Sequence, residues 1–450
     1  MKSGKPRNRV PQVPPLGPGI TAPSAQPQLV RIEKPIYGGS FLAREQGKAI
    51  FVPMALPGEE VSVRIVADKG KRGYATAEVD EIVTAAPERV PPACPHFGPC
   101  GGCHYQHAGY AAQLRYKQAI LRETFERGGV APPERIEVIA AEPWGYRNRI
   151  RLAFDAAGRP GYRLHGSHAI VPIESCPIAA PLLVKAALAA ADMLRAMQPR
   201  PRMSEIVLFS NAEESELLAS VLLAVPAEMH FDAFAEALKE RVSALTGAEL
   251  AVAGSESRPA RQLANWGAES LRYNAVGFAY RVDRGAFFQV NRWLVDALVQ
   301  RVVRDKHGAL AWDLFAGVGL FARQLADRFA RVVAVESAPS ATRALAANLA
   351  GTSSETVRAT TLDFLRRKQS GLRPDLVVVD PPRAGLGSEV TAELARVAAP
   401  AMVYVSCDPT TLVRDLRALG ASGYVIESVA LADLFPQTFH LETVVQLKHL

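Results

Sequence analysis

From Ala309 onward the chain alternates short apolar runs with amphipathic stretches, and this alternation limits the possible fold more than any other feature. Runs over Ala309 to Asp313, Arg331 to Glu336, Asp375 to Asp380 and Ala401 to Ser406 are each followed by a stretch of helical period. Strand–helix repetition of this kind predicts a doubly wound parallel sheet, an α/β architecture whose ligands sit at the carboxyl ends of the strands. A last run, His440 to Leu447, is expected to close the sheet.

The chain has 450 residues, 48% of them apolar, and single cores rarely grow past about 250 to 300 residues, so several domains are expected. Residues 1 to 28 carry Lys2, Lys5, Arg7 and Arg9, no acidic residue and repeated Pro and Gly, a composition that builds no core; they read as a disordered basic arm. Over 29 to 88, short segments (Leu29 to Ile36, Ala49 to Pro53, Glu60 to Ala67, Tyr74 to Val83) between Gly and Pro turns predict a small β-barrel, with Lys69, Lys71 and Arg72 in one turn. Residues 89 to 275 read as a central α+β region, with helices over Tyr110 to Arg127, Ala179 to Met197 and Phe231 to Leu245. Its strands are expected over Arg149 to Phe154, Glu205 to Ser210 and Leu217 to Val225. Residues 276 to 450 hold the doubly wound sheet.

No apolar run reaches the roughly 20 residues needed to cross a bilayer, and the start lacks a secretory h-region, so a cytoplasmic protein is expected, without a membrane partner. The net charge of +7 is compatible with a polyanionic partner without identifying one. No obligatory protein partner is evident.

The five cysteines divide into two chemistries. Cys94, Cys100 and Cys103 crowd one loop, and Cys176 lies farther on. In a reducing compartment, clustered thiols point to metal ligation. Zinc sites usually come as two short knuckles, whereas three ligands in one loop and a distant fourth suit an iron–sulfur centre, with zinc the alternative.

Cys407, in Val405-Ser406-Cys407-Asp408-Pro409, stands alone at a strand's carboxyl end. An inert core thiol is the bland reading. Beside a cofactor crevice it suits a nucleophile that adds to C6 of a pyrimidine, making C5 able to attack an electrophilic methyl. A base must then remove the C5 proton, and Glu442 supplies a carboxylate near the sheet's other end.

Asp313-Leu314-Phe315-Ala316-Gly317-Val318-Gly319-Leu320 follows a strand and opens a helix, so Gly317 and Gly319 let backbone approach a ligand closely. The third glycine of a dinucleotide fingerprint is missing, which favours a nucleoside without pyrophosphate, such as S-adenosylmethionine. Glu336 ends the next strand, where it can accept from ribose hydroxyls. Asp363 is placed to meet the adenine amino group or, more plainly, to cap a helix. Asp380-Pro381-Pro382-Arg383 stiffens a pocket wall. Enzymes that methylate exocyclic amino groups need an aromatic where Arg383 stands. Phe287-Phe288-Gln289-Val290-Asn291 offers aromatics to stack a flipped base, and Gln289 and Asn291 to grip the cofactor's methionine end.

Together with the cysteine loop and Phe435-Pro436-Gln437-Thr438, these motifs resemble the RNA uracil-C5 methyltransferase family over residues 29 to 450, most closely the branch acting on 23S ribosomal RNA. The resemblance implies a TRAM RNA-binding barrel, OB-like in build, a 4Fe-4S cluster on Cys94, Cys100, Cys103 and Cys176, and a Rossmann-like class I methyltransferase domain. It also implies S-adenosylmethionine contacts from Gln289, Phe315, Glu336, Asp363 and Asp380, with Cys407 as nucleophile and Glu442 as base. Leu320 stands where one branch of the family carries a cofactor-contacting Asn and offers a backbone contact at most. The expected activity is methylation of uridine C5 in ribosomal RNA. The rivals are the same chemistry on the T-loop uridine of tRNA, and an RNA-binding or assembly protein that keeps the fold without turnover.

Overall fold

The computed structural model describes residues 26–69, 73–254, 260–367 and 373–450. The basic arm therefore falls almost wholly outside the described residues, as do Lys71 and Arg72. The chain divides into two compact units: residues up to Ile120 with Arg163–Val171 and Gln437–Phe439, and Leu121–Tyr162 with Pro172–Pro436 and His440–Leu450.

The first unit is built on a closed five-stranded barrel of Gln28–Pro35, Ser40–Glu45, Lys48–Pro53, Glu60–Lys69 and Tyr74–Thr84. Closure removes both sheet edges, and alternate residues such as Val30, Ile32, Ile50, Val52, Val61 and Val63 point into the core. Ser40–Glu45 is the strand that the expected segments omit; it is short and held between the turns at Gly38-Gly39 and Gln46-Gly47. Glu59 is fully buried there. Its carboxylate accepts from Arg89 Nε at 2.5 Å and from the Leu56 and Ala86 amides, so the charge is both paired and hydrogen-bonded.

Among the described residues the second unit contains two large sheets and the two-stranded pair Ser270–Ala275 and Phe278–Asp283. In one, neighbouring strands run Arg261–Gly267, Leu245–Val252, Leu217–Leu223, Met203–Ser210 and Arg149–Phe154, with the helices Pro181–Ala196 and Phe231–Arg241 packed on it through Leu183, Ala187, Leu208, Phe234 and Leu238. The helix expected to reach Leu245 stops at Arg241. Leu245 instead starts a strand parallel to Leu217–Leu223, because its apolar residues are needed in that pairing.

The other sheet has eight strands in the order Ser354–Arg358, Phe329–Glu336, Gly308–Leu314, Leu376–Val379, Ala401–Ser406, Glu442–His449, Tyr424–Ala432 and Ile136–Ile139. The first five are parallel, and Glu442–His449 inserts antiparallel beside Ala401–Ser406. The closing strand thus begins at Glu442, two residues later than expected. Two further strands join beyond it: Tyr424–Ala432, and Ile136–Ile139 from far upstream. Chain order reverses between Gly308–Leu314 and Leu376–Val379, which opens a crevice at their carboxyl ends. No helix among the described residues is long and apolar enough to cross a membrane.

Candidate active site

Asp313, at the end of Gly308–Leu314, and Asp380, just past Leu376–Val379, flank that crevice. Asp313 is fully buried; its Oδ2 accepts the Ala322 amide at 2.8 Å, while its Oδ1 is buried without a partner. Burial, with the charges of Asp380 and Glu336 adding to it, lifts the Asp313 carboxyl to about 8. Burial raises Asp380 to about 7. Gln289, itself buried, donates from Nε2 to Asp380 Oδ2 at 3.4 Å.

The Gly loop between them is shaped by backbone that side chains resist. Phe315, Gly317 and Gly319 have φ of 64°, 55° and 88°. A Cβ on Gly319 would meet Leu345 Cδ1 at 2.6 Å, so a side chain there requires Leu345, itself fully buried, to shift. A Cβ on Gly317 would meet nothing within 4 Å, so its backbone faces open space. Glu336 ties the loop down: its carboxylate accepts the Gly317 amide at 2.9 Å and the Ser337 and Ala338 amides at 2.7 Å. At the start of helix Thr361–Arg367 the Thr360 hydroxyl accepts the Asp363 amide at 3.1 Å and donates to the Asp363 carboxylate at 2.7 Å, so Asp363 belongs to the helix cap.

Cys407 and Glu442 meet through strand register. Ser406 pairs with Thr443, so Cys407 and Glu442 are the next opposed positions as the two strands end. Burial raises the Cys407 thiol to about 11; Glu442 and Asp380 add to the rise, and Arg383 opposes it. The Glu442 carboxyl, 4% exposed, is lifted well above the ordinary range by burial and by Asp380, again opposed by Arg383. Arg383 is the nearby cation in both cases, and its Nη2 lies 3.2 Å from His440 Nδ1. Asp408 caps the helix Pro409–Gly420 by accepting the Thr410 and Thr411 amides, which fixes the turn that carries Cys407.

The aromatic pair separates. Phe288 packs on Tyr273 in the core, with ring centroids 4.4 Å apart, whereas Phe287 is 62% exposed. Asn291 turns inward, donating to the Asp433 and Leu434 carbonyls, so it shapes the loop. Asp313 and Arg383 stand in the motifs read from sequence but are given no role of their own there. An acid closing an apolar strand before a glycine loop was the available signal for the first.

The crevice suits a cationic ligand. Three carboxylates, Asp313, Asp380 and Glu336, end neighbouring strands around it; burial lifts Asp313 to about 8 and Asp380 to about 7, and the Gly317 backbone is open to approach. In the first unit, Cys94, Cys100 and Cys103 occupy one loop, where Cys100 Sγ accepts the Gly102 amide at 3.4 Å. Among the described residues no group of three or more His, Cys, Asp or Glu side chains is arranged to hold a metal ion. The soft thiols are nevertheless the donor type that an iron–sulfur centre takes.

The chain is similar to several known proteins. The 23S rRNA (uracil(1939)-C(5))-methyltransferase of Chromohalobacter salexigens is 35% identical over 92% of this chain and 88% of its own. The enzyme of the same name from Klebsiella pneumoniae strain 342 is 35% identical over 90% of this chain and 92% of its own. The crystal structure of Pyrococcus abyssi tRNA (uracil-54, C5)-methyltransferase in complex with S-adenosyl-L-homocysteine matches with a TM-score of 0.72 at 25% identity, covering 93% of this chain and all of that one. A TRAM domain model matches residues 25–79, and a model described as tRNA (uracil-5-)-methyltransferase matches residues 109–450. Most of the chain is spanned by that second match, and the chain belongs to the tRNA (uracil-5-)-methyltransferase family.

Proposed function

We propose that this protein methylates C5 of a uridine in ribosomal RNA, using S-adenosylmethionine. The observation that carries the reading is the meeting of Cys407, Glu442 and Asp380 at the ends of neighbouring strands, each raised by burial and by the charge of the others or by burial alone. When bound, S-adenosylmethionine supplies an electrophilic methyl on a positively charged sulfonium. Asp313, Asp380 and Glu336, with Gln289, the Phe315 and Gly317 backbone and Asp363, form its side of the crevice.

The chain's own residues do the rest. Cys407 Sγ, as thiolate, adds to C6 of the uracil, and the ring electrons move towards C5 and O4 as an enolate. C5 then takes the methyl as the S–CH3 bond breaks, its electron pair staying on the sulfur so that neutral S-adenosylhomocysteine leaves. Glu442, whose burial makes it a stronger base than an exposed carboxylate, removes the C5 proton. The electron pair left at C5 restores the ring double bond and expels the Cys407 thiolate, leaving 5-methyluridine. Arg383 favours the thiolate and the carboxylate over their protonated forms.

Cys94, Cys100, Cys103 and Cys176 are assigned the iron–sulfur cluster on the family resemblance and the spacing of the thiols along the sequence. Methyl transfer from a sulfonium moves no net electron, so the cluster is given no step and serves structure or RNA docking. Anaerobic purification followed by iron and sulfide assay tests this assignment. The barrel is the RNA-contacting module and the cytoplasm the setting. Likeness to the Pyrococcus abyssi tRNA enzyme favours a second substrate, a tRNA uridine.

Mass spectrometry of RNA from a deletion strain separates the substrates. Loss of 5-methyluridine from ribosomal RNA supports the first reading, loss from tRNA the second, and no loss removes both. In vitro, Cys407→Ser abolishes product. Glu442→Gln accumulates a covalent RNA–protein adduct, because the C5 proton is then retained.

A further inference from the structure

Arg149 carries a charge that the protein does not balance. It lies on strand Arg149–Phe154, with its guanidinium stacked over the Phe209 ring at 4.1 Å. Its Nη1 donates to the Ala286 carbonyl at 2.7 Å, and its Nε is buried with no partner. Among the described residues no carboxylate forms an ion pair with it. The neighbouring arginines differ: Arg151 pairs with Glu205, Arg284 with Glu249 and Arg292 with Glu214. Burial alone pulls the Arg149 guanidinium down to about 10, so it stays charged at neutral pH. A desolvated cation with one neutral acceptor is costly to keep, and holding the Ala286 carbonyl needs only a neutral donor.

Its surroundings say which anion it meets. Ala286 begins the loop that continues through exposed Phe287 to Gln289, the partner of Asp380. The preceding residue, Asn148, grips the far end of the same loop, donating from Nδ2 to the Gln289 carbonyl at 2.9 Å and from its amide to the Val290 carbonyl at 3.0 Å. Arg149 therefore stands at the loop that leads to Gln289, one residue from exposed Phe287 through its bond to the Ala286 carbonyl, with guanidinium N–H groups that no other acceptor among the described residues takes.

We propose that Arg149 is an RNA phosphate-binding residue, taking a backbone phosphate next to the uridine delivered to Cys407. A planar guanidinium backed by a ring is pre-set for phosphate oxygens, and Phe209 keeps it from collapsing onto other partners. The inference rests on the RNA substrate proposed above, and it concerns binding rather than methyl transfer.

The test measures affinity of the full-length protein for a uridine-containing single-stranded RNA across a salt series. Arg149→Gln keeps an amide donor for the Ala286 carbonyl and removes the charge. It should weaken binding about tenfold at low salt and lower the slope of log K against log salt by about 0.7, the share of one phosphate on a single strand. Arg149→Lys should keep the wild-type slope. A wild-type slope in R149Q, or equal slope loss in R149Q and R149K, overturns the proposal, the second outcome marking Arg149 as a loop clamp alone.

Should R149Q fail to fold, the wild-type protein is tested with RNAs carrying one neutral methylphosphonate linkage each. One linkage beside the target uridine must then lower affinity about tenfold, and a flat profile overturns the proposal. Formation of 5-methyluridine is scored separately. RNA that binds with the predicted slopes but is not methylated counts against the proposed reaction alone; normal methylation with an unchanged slope counts against Arg149 alone.

Discussion

The Tyr404 hydroxyl donates to Asp415 Oδ2 at 2.8 Å, and the same oxygen accepts the Leu386 amide at 2.7 Å. Asp415, on helix Pro409–Gly420, thereby joins the strand that leads to Cys407 to the loop that carries Asp380 and Arg383. Thr411 reinforces the join by donating its hydroxyl to the Arg383 carbonyl at 3.0 Å.

Asp415→Ala leaves a buried hydroxyl and a buried amide without their acceptor, at about 1–3 kcal/mol each. Urea denaturation should show a loss of roughly 2–6 kcal/mol. Tyr404→Phe, which removes one donor and leaves Leu386 satisfied, should lose about 1 kcal/mol.

Alkylation of Cys407 by iodoacetamide, followed by mass spectrometry in the ligand-free protein, should rise with pH towards a midpoint near 11. An ordinary thiol has its midpoint at about 8.5. Removing the negative neighbour in Glu442→Gln should move the midpoint down, and removing the cation in Arg383→Met should move it up. A midpoint unmoved by either change would contradict the electrostatic coupling drawn here.

Asp313 and the pH dependence of stability are linked through its raised carboxyl. The folded protein keeps this group protonated up to about 8, whereas the unfolded chain releases the proton at about 4. Its stabilising contribution is therefore complete below pH 4 or so and is lost as pH rises through 8. Asp313→Asn keeps an oxygen for the Ala322 amide and removes the titration. In denaturation series, the variant should gain on wild type steadily between about pH 4 and 8, then hold a constant difference.

Gly317 separates ligand space from packing. Gly317→Ala costs about 1 kcal/mol for its left-handed backbone, but its methyl enters open space. Calorimetry should find S-adenosylhomocysteine binding weakened by tenfold or more with a fall in melting temperature of only a few degrees. Gly319→Ala, with Leu345 in the way, should lose far more stability.

Much of this architecture was legible along the chain. The helix Tyr110–Arg127 and the strands Arg149–Phe154 and Ala401–Ser406 lie where apolar period and the Gly128-Gly129 stop put them. Hydrophobic period and turn chemistry are local properties, so sequence alone determined that a doubly wound sheet follows Ala309 and that Cys407 ends one of its strands. Pairing partners are not local. Only the tertiary structure decided that Glu442 stands opposite Cys407, because that depends on the register of Ser406 with Thr443. Nor could period reveal that Ile136–Ile139 extends this sheet, or that Glu336 holds the Gly317 amide. The elevated thiol and carboxyl follow in turn, since a pKa answers to the burial and charges that folding gathers around a group, which no stretch of sequence contains.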